Sequence, residues 1–234
     1  MEFVKAHTNG NDFVIINHQT RKMLDEELIR KIADRNLGIG CDQVVFISKN
    51  GPCSCYVIDF ANQDGTKASM CGNGACAAAA YIRDKFVDNT SAIDLRISGI
   101  RYTAIMDDKR VTICFPKPQQ AGDGVIVTGN KHLVLGVEEI VSIDELSAKY
   151  ADCNIHFYEV VGNCIVRIRT FERGVGWTKA CGSGAVAVAY KLDLGAKTRI
   201  IHEGGESVVT IESGFIGFAA TPELIFEGMW YGTS

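Results

Sequence analysis

Two short segments of this sequence carry the same chemistry. Met70-Cys71-Gly72-Asn73-Gly74-Ala75-Cys76-Ala77 returns 110 residues later as Ala180-Cys181-Gly182-Ser183-Gly184-Ala185-Val186-Ala187, and both copies run on into small-residue stretches that read as helices. A cysteine at a helix start meets unpaired backbone N–H groups and the positive end of the helix dipole. Both favour its thiolate and lower its pKa below the ordinary value of about 8.5. The glycines that follow let another molecule approach the backbone, and the same N–H groups can hold a carboxylate. One such thiol per half of the chain suits removal of a proton from one face of a carbon and delivery to the other. The amides would stabilise the charge that builds on the carboxylate meanwhile.

Other chemistries fit less well. Both copies satisfy a dinucleotide pattern, Gly72-x-Gly74-x-x-Ala77 and Gly182-x-Gly184-x-x-Ala187, but ten residues, 61–70, separate the first from the preceding strand-like run. A phosphate-binding turn follows its strand directly. Cys53-Ser54-Cys55 has no CxxC or closely spaced histidine to complete a metal site, so no metal is expected. Apart from Cys71 and Cys181, the cysteines (Cys41, Cys53, Cys55, Cys76, Cys114, Cys153 and Cys164) read as small buried hydrophobes.

The elements that must position the two cysteines alternate short strands with few helices. Phe3 to Ala6 and Phe13 to Ile16 flank Asn9-Gly10, and Val44 to Ser48 and Tyr56 to Phe60 flank Asn50-Gly51, two hairpin signals. Between them a helix fits, with Asp25 as N-cap, Leu28, Ile29, Ile32 and Ala33 on one face, and Gly38 as C-cap. A second helix opens near Cys71 and runs to about Lys85, and 93–98, 102–106 and 110–115 read as strands. The second half follows suit. Strands are expected at 125–128, 132–137, 155–161, 165–171, 199–202, 208–212 and 216–220, and helices at 143–150 and 182–192. Such a mixture says α+β.

Length and composition agree. The 234 residues, at a prior of roughly one domain per 150, lean towards two domains or one large one. The net charge of −4 leaves no basic footprint for nucleic acid, and no apolar run approaches the ~18 residues that span a bilayer. Met1-Glu2-Phe3-Val4-Lys5 carries charge where a signal peptide is apolar, and the nine cysteines cannot all pair, so a reducing cytoplasm is expected. Phe115-Pro116-Lys117-Pro118 reads as a junction and Pro222 as a return crossing. The expected domains are therefore 1–116, joined by a C-terminal strand at 223–234, and 117–222.

At this point the chain resembles the diaminopimelate epimerases, amino-acid epimerases that need no cofactor and work with two cysteines. The resemblance rests on Gly10-Asn11-Asp12-Phe13, Gly38-Ile39-Gly40-Cys41-Asp42-Gln43, Asn62-Gln63-Asp64-Gly65, Met70-Cys71-Gly72-Asn73-Gly74, Gly129-Asn130-Lys131-His132, Asn154-Ile155, Glu172-Arg173-Gly174 and Thr178-Lys179-Ala180-Cys181-Gly182-Ser183-Gly184, nearly end to end and in order. It implies two pseudo-symmetric domains, each a mixed, mostly antiparallel, barrel-like sheet around a central helix. It makes Cys71 the proton donor and Cys181 the acceptor in the LL-to-meso direction. It assigns the α-carboxylate to the backbone of Gly72, Asn73, Gly182 and Ser183, and the rest of a small amino-acid substrate to Asn11, Gln43, Asn62, Asn130, Asn154, Glu172 and Arg173. The implied reaction needs neither pyridoxal phosphate nor metal, and serves a bacterial route to lysine and peptidoglycan precursors.

The residue types suit that substrate: a guanidinium binds a distant carboxylate in bidentate fashion, and amides offer donors and acceptors to a zwitterion. Taken singly, each Asn also fits a turn and Arg173 a solvated site. His132 and Glu172 stand where they can tune the cysteines; a hydrogen-bonded core histidine is the other reading of His132, and both stay open. Thr8, Lys131 and Trp177 depart from the family pattern, as does the short stretch from Pro118 to Gly129, which is expected to remove strands from the second domain. The rival functions are a proline or hydroxyproline racemase and a non-catalytic ligand-binding protein. Binding alone needs no second thiol. Sequence leaves the oligomeric state open, a homodimer included.

Overall fold

The structure, a computed structural model, describes residues 1–17, 25–49, 55–87, 90–139 and 142–232. The Asn50-Gly51 turn, Cys53 and Ser54 lie outside the described residues. The chain divides into two compact units, Met1–Ile113 with Thr221–Ser234, and Cys114–Ala220.

In the first unit, β1 (Glu2–Thr8) and β2 (Asn11–Asn17) pair antiparallel. Asn9 and Gly10 between them both take positive φ, 53° and 76°, as a two-residue type I′ turn requires. Helix α1 (Glu26–Ala33) opens on the Asp25 carboxylate, which accepts from the Leu28 amide, and buries Ile29, Ile32 and Ala33. It ends at Asp34, not at Gly38. The Asp34 carboxylate takes the amides of Asn36 and Leu37 at 2.7 Å each, an alternative to the next helical turn that a short acidic side chain readily offers. Strand β3 (Gln43–Lys49) then runs parallel to β2, and β4 (Cys55–Asn62) antiparallel to β3. A two-residue strand, β5 (Lys67–Ala68), leads into α2 (Gly72–Phe86). Strand β6 (Ala92–Ile97) returns parallel to β4, β7 (Ile100–Asp107) turns back on it, β8 (Arg110–Phe115) follows, and the C-terminal strand Pro222–Met229 pairs with β1.

The second unit repeats the plan with β9 (Gln119–Gln120), β10 (Val125–Val127), β11 (Lys131–Gly136), α3 (Ile143–Lys149), β12 (Cys153–Gly162), β13 (Ile165–Glu172), β14 (Gly176–Thr178), α4 (Gly182–Leu192), β15 (Lys197–His202), β16 (Gly205–Ile211) and β17 (Ile216–Ala220). The short stretch after Pro118 still carries the antiparallel pair β9 and β10. Here too a parallel pair, β11 with β12, precedes an antiparallel one, β12 with β13, and β15 runs parallel to β13. Among the described residues no helix is long and apolar enough to cross a membrane.

The central helices explain the small residues. Gly72 through Ile82 of α2 are all buried, and the helix touches β1, β2, β3, β4 and the C-terminal strand. A helix enclosed on every side has no polar face, and alanines let the surrounding strands come close. Gly182 through Ala189 of α4 are buried in the same way among β10, β11, β12, β16 and β17. Each unit is thus a mixed, mostly antiparallel sheet around one helix.

Candidate active site

Each unit places its cysteine at the N-cap of its central helix, in extended backbone conformation: Cys71 at φ −138°, ψ 111° before α2, and Cys181 at φ −132°, ψ 112° before α4. The first amides of a helix have no partner within it, so Gly72, Asn73, Gly182 and Ser183 present N–H groups beside each sulfur. Duplicated threonines anchor both helix starts. The buried Thr8 hydroxyl donates to the Asn73 carbonyl at 3.0 Å, and the buried Thr128 hydroxyl to the Ser183 carbonyl at 3.1 Å. Sequence reading noticed Thr8 only as a departure and missed Thr128; the signal was their place just before the repeated Gly-Asn pairs.

The two sulfurs differ in their neighbours. The Gly74 amide donates to Cys71 Sγ at 3.3 Å, and Cys71 Sγ lies 3.7 Å from Asn11 Oδ1. Asn11 is held in turn by Asp42, whose Oδ2 accepts from its Nδ2 at 2.8 Å. Asp12 and Asp42 form a reciprocal clamp, each carboxylate taking the other's backbone amide, and Arg35 bridges both carboxylates. Lys5 adds an ion pair to Asp12 and donates to the Gly40 carbonyl. Burial raises the Asp12 pKa, but the hydrogen bonds from Arg35 and Lys5 outweigh it and hold the carboxyl down at about 2. Gln43 and Asn62 stand opposite each other on β3 and β4, Gln43 Nε2 donating to Asn62 Oδ1 at 2.9 Å. Gln43 Oε1 is buried with no protein partner among the described residues.

In the second unit Cys181 is buried, with Sγ 3.7 Å from the Ser183 hydroxyl. Asn154 Oδ1 accepts from the Arg173 amide at 3.0 Å, and Glu172 Oε1 from the Thr178 hydroxyl at 2.7 Å. The Arg173 side chain is exposed, and Asn130 lies between β10 and β11, its carbonyl accepting from the Thr128 amide. Of the departures, Lys131 pairs with Asp152 at the surface. Trp177 packs on Phe157 and Phe171 with the Arg169 guanidinium 4.5 Å from its ring centre. The other described thiols include poor thiolates: burial pushes Cys41 up to about 12 and Cys153 up to about 11.

Three buried histidines lie in this second unit, two of them beside Cys181. His132 Nδ1 and His156 Nε2 are 2.8 Å apart, His156 Nδ1 meets the Thr170 hydroxyl at 3.1 Å, and His202 Nε2 meets the Ser207 hydroxyl at 2.8 Å. Burial alone holds His132 down at about 3 and His202 at about 4; His156 is lowered by burial first and then by its two histidine neighbours. A ring nitrogen of His132, one of His156 and the Cys181 sulfur lie within 4.8 Å of one another, a spacing open to a thiophilic cation. The 2.8 Å contact of the rings is that of a shared hydrogen, because nitrogens on one tetrahedral ion stand about 3.3 Å apart with both lone pairs on the metal. His132 was singled out from sequence. His156 and Thr170 were not, since nothing in a strand sequence marks which inward residue meets a helix start.

The arrangement is therefore one N-cap thiol and one set of helix-start amides per unit, flanked by amide, acid and imidazole groups. A profile of the family described as diaminopimelate epimerase matches residues 3–115. Diaminopimelate epimerases from Xylella fastidiosa and Teredinibacter turnerae are similar to this chain. The first is 31% identical over 99% of this chain and 97% of its own length, the second 32% over 80% and 81%. Among solved structures, a hydroxyproline epimerase from Agrobacterium vitis superposes with a TM-score of 0.75 at 10% identity, covering 97% of this chain and 90% of that one. A phenazine biosynthesis protein of the PhzF family from Enterococcus faecalis gives 0.70 at 13%, covering 98% of each. These structural likenesses carry the fold, and the sequence likenesses carry the lineage: the chain belongs to the diaminopimelate epimerase family.

Proposed function

We propose that this epimerase interconverts LL- and meso-diaminopimelate with Cys71 and Cys181 as its two bases, and so acts in lysine and peptidoglycan precursor synthesis. In the LL-to-meso direction the Cys181 thiolate takes the α-proton and becomes a thiol, leaving a carbanion. The Cys71 thiol gives its proton to the opposite face of that carbon and becomes the thiolate. From the meso isomer the roles reverse. The amides of Gly72, Asn73, Gly182 and Ser183 hold the α-carboxylate and stabilise the charge that spreads onto it. Asn11, Gln43, Asn62, Asn130, Asn154, Glu172 and Arg173 hold the remaining ammonium and carboxylate groups. Gln43 Oε1, a buried acceptor with no protein partner among the described residues, suits an ammonium.

One observation carries this reading. The same cysteine N-cap, backed by the same threonine-to-helix bond, opens the central helix of both units. A ligand-binding protein has no use for the second thiol. The test is incubation with diaminopimelate in D₂O under reducing conditions, with proline in parallel. Deuterium at the α-carbon of diaminopimelate is expected, and its absence refutes the substrate; exchange into proline instead supports the racemase. Cys71→Ala and Cys181→Ala should each abolish epimerisation, and near-full turnover by either refutes the two-base mechanism.

A further inference from the structure

The two units match strand for strand, and the matching positions show where the second was rebuilt. Phe13 stands opposite Gln43 in the first unit where His132 stands opposite Asn154 in the second. Val45 pairs with Phe60 where His156 pairs with Thr170. The start of α2 thus rests on hydrocarbon: a Cβ on Gly74 would come within 2.7 Å of Phe60 and 3.2 Å of Phe13. The start of α4 rests on an imidazole, and a Cβ on Gly184 would lie 2.1 Å from His156 Cε1. Polar groups in such a place cost stability unless bonded, so their bonds decide what they are for.

The direction of those bonds can be worked out from one end. Thr170 is buried, and among the described residues its hydroxyl meets one partner, His156 Nδ1. A hydroxyl always has a hydrogen to place, so it donates there. His156 Nδ1 then bears no hydrogen, and its hydrogen sits on Nε2, which donates to His132 Nδ1. His132, donated to at Nδ1, carries its own hydrogen on Nε2. That nitrogen is buried and has no partner among the described residues. The Cys181 sulfur lies within 4.8 Å of a ring nitrogen of His132, and no hydrogen bond joins it to Nε2 in the neutral pair. The third titratable neighbour, His202, is engaged with Ser207.

We infer that His156 is a positioning residue: with Thr170 it fixes His132 in the tautomer whose Nε2–H is the donor offered to the Cys181 thiolate. This rests on the proposed function only in taking Cys181 as a reacting thiol. Cys71 needs no such device, because the Gly74 amide already donates to its sulfur.

The experiment reads Cys181 without substrate. Site-resolved alkylation by iodoacetamide, quantified by peptide mass spectrometry between pH 5 and 10, gives the thiolate fraction of Cys181 with Cys71 as internal control. ¹⁵N spectra of histidine-labelled protein give the His132 tautomer. The unaltered protein should show Nε2–H at His132. Thr170→Val keeps shape but removes the first donor, and His156→Phe keeps the ring against Gly184 but removes both nitrogens. Each should move the Cys181 profile to higher pH and slow its alkylation at pH 7 about tenfold, the scale of one hydrogen bond to a charged group. Cys71 should not change, and Thr170→Ser should behave as the unaltered protein. A hydrogen on His132 Nδ1 in the unaltered protein, or an unmoved Cys181 profile in folded Thr170→Val, overturns the inference. Should these shifts occur in a protein that exchanges no deuterium into diaminopimelate, the proposed substrate falls and the positioning role stands.

Discussion

Acid should unfold the second unit well before the first, because three neutral histidines are sealed inside it. His132, His156 and His202 are each 5% exposed or less, with folded pKa values of about 3 for His132 and about 4 for His202 against an ordinary 6.5. A depressed histidine lets the unfolded chain bind protons that the folded one refuses. Its stabilising contribution is therefore complete above pH 6.5 and is lost as pH falls towards the folded value. Between pH 7 and pH 5, His132 and His202 each cost about 2 kcal/mol, about 4 kcal/mol together. His156 adds to this with the same sign. A unit of ordinary stability, 5–15 kcal/mol, loses about a quarter or more of it. In the first unit, Asp12 has a pKa lowered to about 2 from 3.8, so its contribution persists above pH 4 and falls away only in stronger acid. The chain has two tryptophans, Trp177 in the second unit and Trp230 in the first. Urea unfolding of Trp230→Phe, followed by Trp177 fluorescence at pH 7, 6 and 5, should show the midpoint falling steeply. Trp177→Phe, followed through Trp230, should show a much smaller change. His202→Gln, which keeps a polar group for Ser207, should reduce the loss between pH 7 and pH 5 by about 2 kcal/mol, about 1 kcal/mol per pH unit. A change below about 1 kcal/mol at Trp177 between pH 7 and 5, or equal slopes at the two tryptophans, refutes the reasoning.

Two other outcomes test the frame around the cysteines. Gly184→Ala places a methyl 2.1 Å from the His156 ring, so it should destabilise the second unit by about 2 kcal/mol or more in urea titration despite alanine's better helix propensity. Asp42→Ala takes the acceptor from the Asn11 side chain and the Asp12 amide; it should cost about 1 kcal/mol of stability and raise KM for diaminopimelate more than it lowers kcat.

Much of the first half was readable locally. Asn9-Gly10 called for a turn with two left-handed residues, and Asp25 for a helix start, because both signals act within four residues of themselves. The same locality misled at Gly38. Glycine is a common helix terminus, but Asp34 offered its carboxylate to the following amides and ended α1 first. The two-residue strands β5 and β9 and the three-residue β14 were missed because segments so short show no alternation. Their pairing comes from the neighbours they lie beside.

The repeat alone determined the essentials of the candidate site. A cysteine before Gly-x-Gly and a run of small residues can do little but cap a buried helix, and its recurrence 110 residues on sets one thiol in each half. Tertiary structure decided what each thiol meets. Strand register puts Phe13 and Phe60 beneath one helix start, and His132, His156 and Thr170 around the other. Register is fixed by pairing between residues far apart in sequence, and no local pattern records it.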